Sequence, residues 1–492
     1  MLDLPFRSAK QLAAAIRGRK IGCVELLDLY WQRMQRLNPR LNAIVCTDYA
    51  AAKKRARAAD AALKKGGRGR TLGPLHGVPM TVKESYDVAG MPTTWGLPSL
   101  KDNLPRRNAV AVDRLLAAGA VIFGKTNVPL MLADWQSFND IYGTTNNPWD
   151  VTRVPGGSSG GSAAALAAGL TGLEAGSDIG ASIRNPAHYC GVYGHKPTWH
   201  IVTPRGQALP GRVAESDIAV IGPLARSADD LALALDVMAG PDAIDGAGWR
   251  LTLPAPKQKA LRQFKVALML DDRNAEVDRT VQDQLQRLGD FLGRCKAKVD
   301  DRARPAVDTD EAARLYIKLL RAATSARQSD EEYRRSVATA QTLAPGDESY
   351  YARMVRGNAL SHRDWLAANE ARHQMRLKWA EFFTEYDLLL CPAASSAAFP
   401  HNHEGERWER MLDVNGKPQP STDQLFWAGY PCLVYLPSTV APIGLTPAST
   451  THGGLPVGVQ IVGPQYGDRT CIEFARLLER EYYAFVPPPG YE

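Results

Sequence analysis

The N-terminal part of the chain carries hydrophobic residues at helical spacing. Ser8 can cap a helix in which Leu12 and Ile16 lie four positions apart. Residues at this spacing share one face of a helix, and that face packs against a core. The pattern predicts helices from residue 8 to about residue 65. We therefore place an N-terminal helical region, packed on the rest of the protein, at 1–70.

From residue 73 onward, short apolar runs alternate with helical patterns. The strand-like runs include VPMTV at 78–82, AVIFG at 120–124 and FKVALML at 264–270. Such alternation is typical of an α/β protein in which helices cover a mostly parallel or mixed sheet. We expect this second domain to span 71–492.

Residues 275–385 differ from the preceding region in composition and pattern. They are rich in Ala, Arg and Glu and mostly helical in pattern. Its first helix is predicted to bury a stripe formed by Val277, Val281, Leu285, Leu288 and Leu292. We interpret the region as a helical insertion or cap over the sheet. The remaining strands are expected near the C-terminus, at 386–391, 441–445 and 457–463, before a closing helix at 469–482.

The composition adds little to this picture and argues against a nucleic-acid partner. Hydrophobic residues make up 45% and charged residues 23% of 492 positions, which is ordinary globular usage. The net charge of +7 is modest for this length and does not indicate a nucleic-acid partner. The densest basic run, within 53–70, has no interleaved aromatic residues that could stack on bases. It is predicted to be a solvated helix face followed by a loop.

The cysteines and the N-terminus indicate the compartment. Seven cysteines stand at wide spacings without a C-x-x-C pair, so a disulfide framework and a thiolate zinc site are both disfavoured. The amphipathic N-terminus lacks the pattern of a signal peptide, and no run approaches the ~20 apolar residues of a membrane span. We expect a cytoplasmic protein that does not associate with membranes.

Two serines and a lysine carry the candidate chemistry. Lys83 ends the run GPLHGVPMTVK at 73–83, Ser158 lies in VPGGSSGGS, and Ser182 follows 24 residues later in GSDIGAS. A serine hydroxyl attacks a carbonyl only when a base removes its proton. Apolar neighbours can desolvate Lys83 so that its amine is neutral and serves as that base. Ser158 can then relay the proton from Ser182 to Lys83.

The glycine-rich turn around Ser182 can supply the other requirement of acyl transfer. Successive backbone N–H groups in such a turn can converge on one point and stabilise an oxyanion. We assign these donors to Ile179, Gly180, Ala181 and Ser182.

These motifs together resemble the amidase signature family. The resemblance runs from about residue 73 to about residue 479 and also includes GKTN at 124–127, NPWD at 147–150, GHKPT at 194–198 and GLPVGVQIVGP at 454–464. It implies a Ser–cis-Ser–Lys triad in which Ser182 is the nucleophile, Ser158 the bridging serine and Lys83 the base. It also implies one α/β/α domain around a large mixed sheet, without metal or cofactor.

Two departures from the family pattern concern the pocket. Ala181 stands where the family usually has glycine, so we expect a methyl group to reshape the acyl pocket. Leu130 follows Pro129 where the family tends to carry Pro-Glu. The segment MLADWQSFN at 131–139 is similar in sequence to the aryl-acylamidase branch of the family, which overlaps in sequence with amidases that cleave carbamates. By this resemblance Leu132 and Asp134 line the substrate pocket.

Several other interpretations stay open at the level of sequence. Ser159 matches the centre of a G-x-S-x-G nucleophile elbow and could pair with His452, although a proline stands where the preceding strand should end. The segment HNHEGE at 401–406 could suggest metal ligands, but a polar loop that borders the substrate entrance is the simpler interpretation. A binding protein that has lost activity would not need Lys83, Ser158 and Ser182 together.

The sequence thus predicts a serine amidohydrolase that acts on a small-molecule amide, with aryl acylamides first and carbamates and esters as further substrates. The alternative is the amidase subunit of a tRNA-dependent amidotransferase, which would use the same triad to release ammonia from glutamine. The sequence leaves open whether the protein forms a homodimer and whether the 275–385 region moves as a lid.

Overall fold

The computed structural model describes residues 4–65, 72–448 and 454–492. Within these ranges the α-helices are α1 Ala9–Arg17, α2 Cys23–Leu41, α3 Tyr49–Lys64, α4 Val110–Ala117, α5 Gly160–Ala167, α6 Arg184–Cys190, α7 Ala228–Met238, α8 Arg279–Arg294, α9 Thr309–Ser325, α10 Asp330–Thr342, α11 Tyr350–Asn358, α12 His362–Glu385, α13 Leu425–Cys432 and α14 Asp468–Glu481.

The strands of the same ranges are β1 Ile44–Thr47, β2 Pro79–Lys83, β3 Val121–Thr126, β4 Phe138–Asn139, β5 Gly143–Thr144, β6 Glu174–Asp178, β7 Tyr193–Lys196, β8 Val220–Ala225, β9 Lys265–Leu268, β10 Lys298–Asp300, β11 Leu388–Pro392, β12 Met411–Val414, β13 Lys417–Pro420, β14 Ser438–Leu445 and β15 Pro456–Val462.

Eight of these strands form the central sheet, in the order β10-β9-β11-β15-β14-β7-β8-β6. The pairs β10–β9 and β9–β11 are parallel, and the other neighbours are antiparallel. The sheet is therefore mixed. Apart from the edge strand β10, its strands are buried along almost their whole length, because helices such as α5, α6, α7, α8 and α14 pack against the sheet. The prediction of a large mixed sheet flanked by helices is confirmed.

The helices begin where the sequence offers capping groups. Ser8 Oγ accepts the Gln11 N–H at 3.1 Å, and Gln11 Oε1 accepts the Ser8 N–H at 3.0 Å, which makes a capping box for α1. Asp278 caps α8, so that Val277 precedes the helix while the rest of the predicted apolar stripe lies on it and is buried. The predicted N-terminal helices are present, but the sequence pattern missed β1 between them.

A second sheet carries one part of the site to the edge of the first. β1, β3 and β2 pair in that order, with β2 parallel to β3 and Lys83 opposite Thr126. β2 is bonded to the segment before β6, since the Gly172 N–H donates to Pro79 O at 3.1 Å and the Thr81 N–H donates to Thr171 Oγ1 at 2.9 Å. Because β6 is the edge strand of the large sheet, this contact brings the ends of β2 and β6 together.

Residues 275–385 contain α8 to α12 and the short strand β10. α8 packs on the central sheet, whereas α9 contacts α11, α12 and α13 and lies above the end of β6. α10 has no buried residue. The division of the chain at residue 70 and the description of 275–385 as an insertion stay predictions. In the described part of the chain, every helix is too short or too polar to cross a bilayer.

Candidate active site

The three candidate catalytic residues come from three parts of the chain that meet at the ends of β2 and β6. Lys83 is the last residue of β2, Ser158 lies in the turn before α5, and Ser182 lies in the loop between β6 and α6. All three are at least 95% buried. The Gly157–Ser158 peptide bond is cis. The Ser159 N–H donates to Ser182 O at 3.1 Å and joins the two serine loops.

The Lys83 side chain is held among hydroxyl groups. Its Nζ lies 2.6 Å from Ser158 Oγ and 3.0 Å from Ser177 Oγ, and it lies 3.5 Å from the Ser177 carbonyl oxygen. No carboxylate forms an ion pair with Lys83 within the described residues. The amine therefore contacts neutral hydroxyl and carbonyl groups, and the hydroxyl groups can exchange protons with it.

The environment of Lys83 favours that neutral form. Burial lowers the pKa of Lys83 well below its ordinary value of 10.5. The charges of Asp178 and Glu174 act in the opposite direction, and the charge of Arg327 lowers the pKa further. The effect of burial dominates. Lys83 can thus lose its proton at a lower pH than an ordinary exposed lysine.

Ser182 is the member of this group that faces a cavity. It lines a cavity of about 360 Å³, together with Ile179 and Gly180. In the described ranges the structure gives no hydrogen bond between the Ser158 and Ser182 hydroxyls. It places both in adjoining loops, and the proton relay between them stays a prediction.

The loop that carries Ser182 is folded around the carboxylate of Asp178. Asp178 accepts the N–H groups of Ala181 at 2.9 Å and Ile183 at 3.0 Å. The Arg184 guanidinium donates to the same carboxylate through Nη2 at 2.9 Å and Nε at 3.0 Å. Burial alone raises the pKa of Asp178, but the charge and hydrogen bonds of Arg184 outweigh it and the pKa lies below its ordinary value. This bidentate pair keeps a charged carboxylate inside the protein.

Two further side chains hold the carbonyl groups of the same loop. Trp135 Nε1 donates to Gly180 O at 2.7 Å, and the Tyr316 hydroxyl donates to Ile179 O at 2.9 Å. On the donor side of this loop, the N–H groups of Ile179, Gly180 and Ser182 have no acceptor in the described parts of the chain. Of the four predicted oxyanion donors, Ala181 differs, because its N–H is already bound to Asp178.

Ala181 has a structural role that the sequence did not reveal. Its φ is +67°, in the left-handed region where glycine is favoured. Its side chain is fully buried and does not contribute to the described cavity lining. Its neighbours Gly180 and Ser182 line the cavity and Ala181 does not, so the expectation that its methyl group reshapes the acyl pocket gains no support from the lining and stays a prediction.

Both predicted pocket residues line the cavity. Leu132 has a left-handed backbone, with φ +58°, as does its neighbour Met131, with φ +54°. Asp134 accepts a hydrogen bond from Arg410 Nη1 at 2.6 Å. Burial raises the pKa of Asp134, although the charge of Arg410 opposes this shift. Asp134 thus holds the loop around Arg410 against the pocket.

The sequence missed several residues that shape the site. Asp178, Arg184, Trp135 and Tyr316 organise the loop around Ser182. Asp178 and Arg184 stand inside the GSDIGASIRNPA motif, so the spacing of an acid and a base there was an available signal. Tyr316 comes from α9, and nothing in its local sequence marks it.

The residues of the competing interpretations do not form a second site in the described ranges. Ser159 is fully buried, directly precedes α5 and is not part of the described cavity lining, and no strand directly precedes it. His452 lies outside the described residues. In the described ranges no three His, Cys, Asp or Glu side chains are grouped as metal ligands. Asn402 of the HNHEGE segment lines the cavity, and its N–H donates to Gln136 Oε1 at 2.9 Å, so this loop borders the site.

Comparison with known proteins gives relatives along the whole chain. It is 33% identical to an indoleacetamide hydrolase of Bradyrhizobium diazoefficiens, covering 96% of this chain and 86% of that protein. It is 33% identical to a glutamyl-tRNA(Gln) amidotransferase subunit of Anaeromyxobacter sp., covering 98% and 97%. It is 32% identical to an acylamidase of Rhodococcus erythropolis, covering 97% and 96%.

A solved structure shares the fold over the same extent. It comes from an inhibitor-bound complex described as a vestigial protein complex that reveals the evolutionary origins of an s-triazine catabolic enzyme. The TM-score is 0.80 at 26% identity, covering 97% of this chain and 99% of that chain. The family model described as Amidase matches residues 25–472, which include every residue of the site described above. The chain therefore belongs to the amidase signature family of hydrolases.

Proposed function

We propose that this protein hydrolyses the C–N bond of small-molecule amides through an acyl-enzyme on Ser182. The observation that carries the proposal is the buried Lys83 amine 2.6 Å from Ser158 Oγ, beside the loop that brings Ser182 to the cavity. Burial supplies a neutral amine, and the neighbouring hydroxyl groups supply a route for a proton.

Acylation would begin with attack of Ser182 Oγ on the amide carbonyl carbon. The Ser182 proton passes to Ser158 while the Ser158 proton passes to Lys83 Nζ, so that Lys83 becomes an ammonium. The tetrahedral oxyanion accepts hydrogen bonds from the N–H groups of Ile179, Gly180 and Ser182. Loss of one such donor typically costs on the order of 100-fold in rate.

Collapse of the tetrahedral intermediate would break the C–N bond. The leaving nitrogen takes a proton from Ser158, which takes one back from Lys83, and the amine departs. A water molecule then attacks the acyl-Ser182 ester, with Lys83 again accepting a proton through Ser158. The carboxylic acid leaves, and Ser182 regains its hydrogen.

The substrates we propose first are aryl acylamides, with carbamates and esters as further substrates. Two relatives are described as an indoleacetamide hydrolase and an acylamidase. The cavity volume of about 360 Å³ suits a small aromatic molecule, and apolar side chains including Leu132, Leu320 and Met354 line part of it. A carbamate or an ester presents the same carbonyl carbon to Ser182.

The second candidate is the amidase subunit of a tRNA-dependent amidotransferase. The similarity to the glutamyl-tRNA(Gln) amidotransferase subunit is as high as that to the indoleacetamide hydrolase. A protein of this kind would act on glutamine as part of a complex. Hydrolysis of an anilide by the purified chain alone would favour the amidohydrolase. Cytoplasmic location and a homodimer stay predictions.

The direct test is labelling with a fluorophosphonate, followed by peptide mass spectrometry. We expect one adduct on Ser182, no adduct in Ser182→Ala, and a much slower reaction in Lys83→Ala. The same preparation should release para-nitroaniline from para-nitroacetanilide. An adduct on Ser159 would support the nucleophile elbow instead. Absence of both labelling and hydrolysis would contradict the proposed function.

A further inference from the structure

We propose that the cavity binds a carboxylate of its substrate at a cluster formed by Arg321, Arg327 and Arg407. The substrate would then be an amide that carries an anionic group in addition to the bond to be cleaved. This inference rests on the proposed hydrolase function and adds a substrate class to it.

The three arginines reach the cavity from two separate parts of the chain. Arg321 lies in the last turns of α9, Arg327 follows the end of that helix, and Arg407 lies in the loop after the HNHEGE segment. Arg327 Nη1 lies 3.4 Å from Met131 O, and Arg407 Nη1 donates to Ala133 O. Both guanidinium groups are thus held on the short segment that also contains Leu132.

The charges that line the cavity are unbalanced. Four arginines line it against two carboxylates, those of Asp134 and Glu332. Asp134 pairs with Arg410, and Glu332 lies exposed at the start of α10, where it accepts the Ser329 N–H at 2.7 Å. Within the described residues Arg321, Arg327 and Arg407 form no ion pair with a carboxylate. The described residues therefore supply no paired carboxylate for these three cations, although the charges of Asp134 and Glu406 act on Arg407 from a distance.

Parts of the cluster also lack hydrogen-bond acceptors. The Nε atoms of Arg321 and Arg407 are buried and have no partner among the described residues, although Arg321 Nη2 donates to the Tyr350 hydroxyl. Burial lowers the pKa of Arg327 to about 10, and the nearby charge of Arg321 adds to this shift. Burial also lowers the pKa of Arg407, again with a contribution from Arg321. Like charges held this way are costly unless an anion joins them.

A carboxylate fits this arrangement. Its two oxygens match the planar fork of a guanidinium, and hydrogen bonds between charged groups are stronger than neutral ones. The charge of Arg327 also reaches the Lys83 amine, so the cluster and the reacting groups belong to one site. The apolar side chains Met131, Leu320 and Met354 line the same cavity and suit the uncharged remainder of the substrate.

Two pairs of anilides test the proposal, because a nitro group is a neutral isostere of a carboxylate. Succinanilate and 3-nitropropionanilide differ on the acyl side of the amide. Para-acetamidobenzoate and para-nitroacetanilide differ on the side of the leaving amine. Each is assayed for kcat/KM with the wild-type protein, Arg327→Gln, Arg407→Gln and Arg327→Lys. Arg363→Gln, an exposed arginine on α12, is the control for loss of one positive charge.

In one of the two pairs we expect Arg327→Gln and Arg407→Gln to lower kcat/KM for the anionic member by about 10- to 100-fold. The neutral member, assayed at a pH above the acid limb of the profile, should change by less than about threefold, and Arg327→Lys should retain part of the preference for the anion. The pair that responds tells which side of the amide carries the carboxylate. Equal losses for the anionic and neutral members of both pairs would overturn the proposal.

Failure of the proposed function would be recognised separately. Succinate and para-aminobenzoate are titrated by calorimetry into the wild-type protein, Ser182→Ala and Arg327→Gln. Binding that persists in Ser182→Ala and is lost in Arg327→Gln supports the carboxylate site even if no anilide is hydrolysed. No binding of either anion, together with normal hydrolysis of neutral anilides, would contradict the carboxylate site and leave the hydrolase proposal standing.

Discussion

The two sides of the cavity are built differently. The floor, formed by Lys83, Ser158 and the 178–184 loop, grows from the ends of β2 and β6 and is almost completely buried. The cover, formed by α9 to α11 and the loop around Arg407, comes from later parts of the chain and includes α10, which has no buried residue. The floor holds the atoms proposed to react, whereas the cover holds the groups proposed to select the substrate. Buried packing keeps reacting atoms in place, and a more exposed cover can vary without loss of the core.

The largest effect is expected at the floor, from Lys83→Met. We expect kcat to fall by about 1000-fold or more, mainly in acylation, because Ser182 loses its base. The variant should still fold, since Lys83 forms no ion pair within the described residues and methionine is a long, neutral side chain. Single-turnover acylation and thermal unfolding measure the two effects. An unchanged acylation rate would rule out Lys83 as the base.

Asp178→Asn should act on both the chemistry and the stability. The change leaves Arg184 buried without its counter-charge, which costs about 3–5 kcal/mol in free energy of unfolding. It also loosens the N–H groups of the oxyanion loop, so kcat should fall on the order of 100-fold. Glu331→Gln in the cover removes an exposed ion pair with Arg335 and is the control. Denaturant unfolding should show no measurable change for Glu331→Gln.

One hydrogen bond of Tyr316, which belongs to the cover, is expected to affect kcat. Tyr316→Phe removes the hydrogen bond to Ile179 O without changing the shape of the side chain. A neutral hydrogen bond of about 1 kcal/mol corresponds to roughly a fivefold fall in kcat. Trp135→Phe removes the matching bond to Gly180 O and should give a loss of similar size. If only KM changed in both variants, the two bonds would serve substrate binding instead.

Arg327 in the cover should influence the pKa of Lys83 in the floor, and with it the pH dependence of kcat/KM. Activity requires neutral Lys83, so kcat/KM is lost as the pH falls through the Lys83 pKa, which burial places well below 10.5. Arg327 lowers this pKa, so Arg327→Gln should raise it and shift the acid limb to higher pH. Profiles with para-nitroacetanilide and the Arg363→Gln control measure the shift. An acid limb that moves to lower pH would contradict this account.

The smallest effect is expected for Ala181→Gly. A left-handed backbone favours glycine, but glycine also loses more chain entropy on folding, so the two contributions largely cancel. The free energy of unfolding should change by less than about 1 kcal/mol. The ratio of kcat/KM for an anilide and a carbamate should stay the same, because the Ala181 methyl group lies outside the described cavity lining. A changed ratio would indicate that the Ala181 methyl group does influence the substrate pocket.

The sequence-based predictions were accurate where a local pattern of residues supports them. The strands around VPMTV and AVIFG and the cap at Ser8 follow from local patterns, whereas the grouping of Lys83 with Ser158 followed from the resemblance of their motifs to the family. β1 was missed because it is a four-residue strand between two long helices, with no clear alternation of its own. Val277 was placed on a helix because the periodicity extends past the capping residue Asp278.

What the sequence determined by itself is the family, the mixed sheet between helices and the residue types of the proposed triad, because these lie in contiguous motifs. Only the tertiary structure decided how the loop around Ser182 is held, since Asp178 accepts its N–H groups while Trp135 and Tyr316 donate to its carbonyl groups from other elements. The structure also decided that Arg321, Arg327 and Arg407 share a cavity. Contacts between residues far apart in the chain depend on how the elements pack, and no local pattern of side chains encodes them.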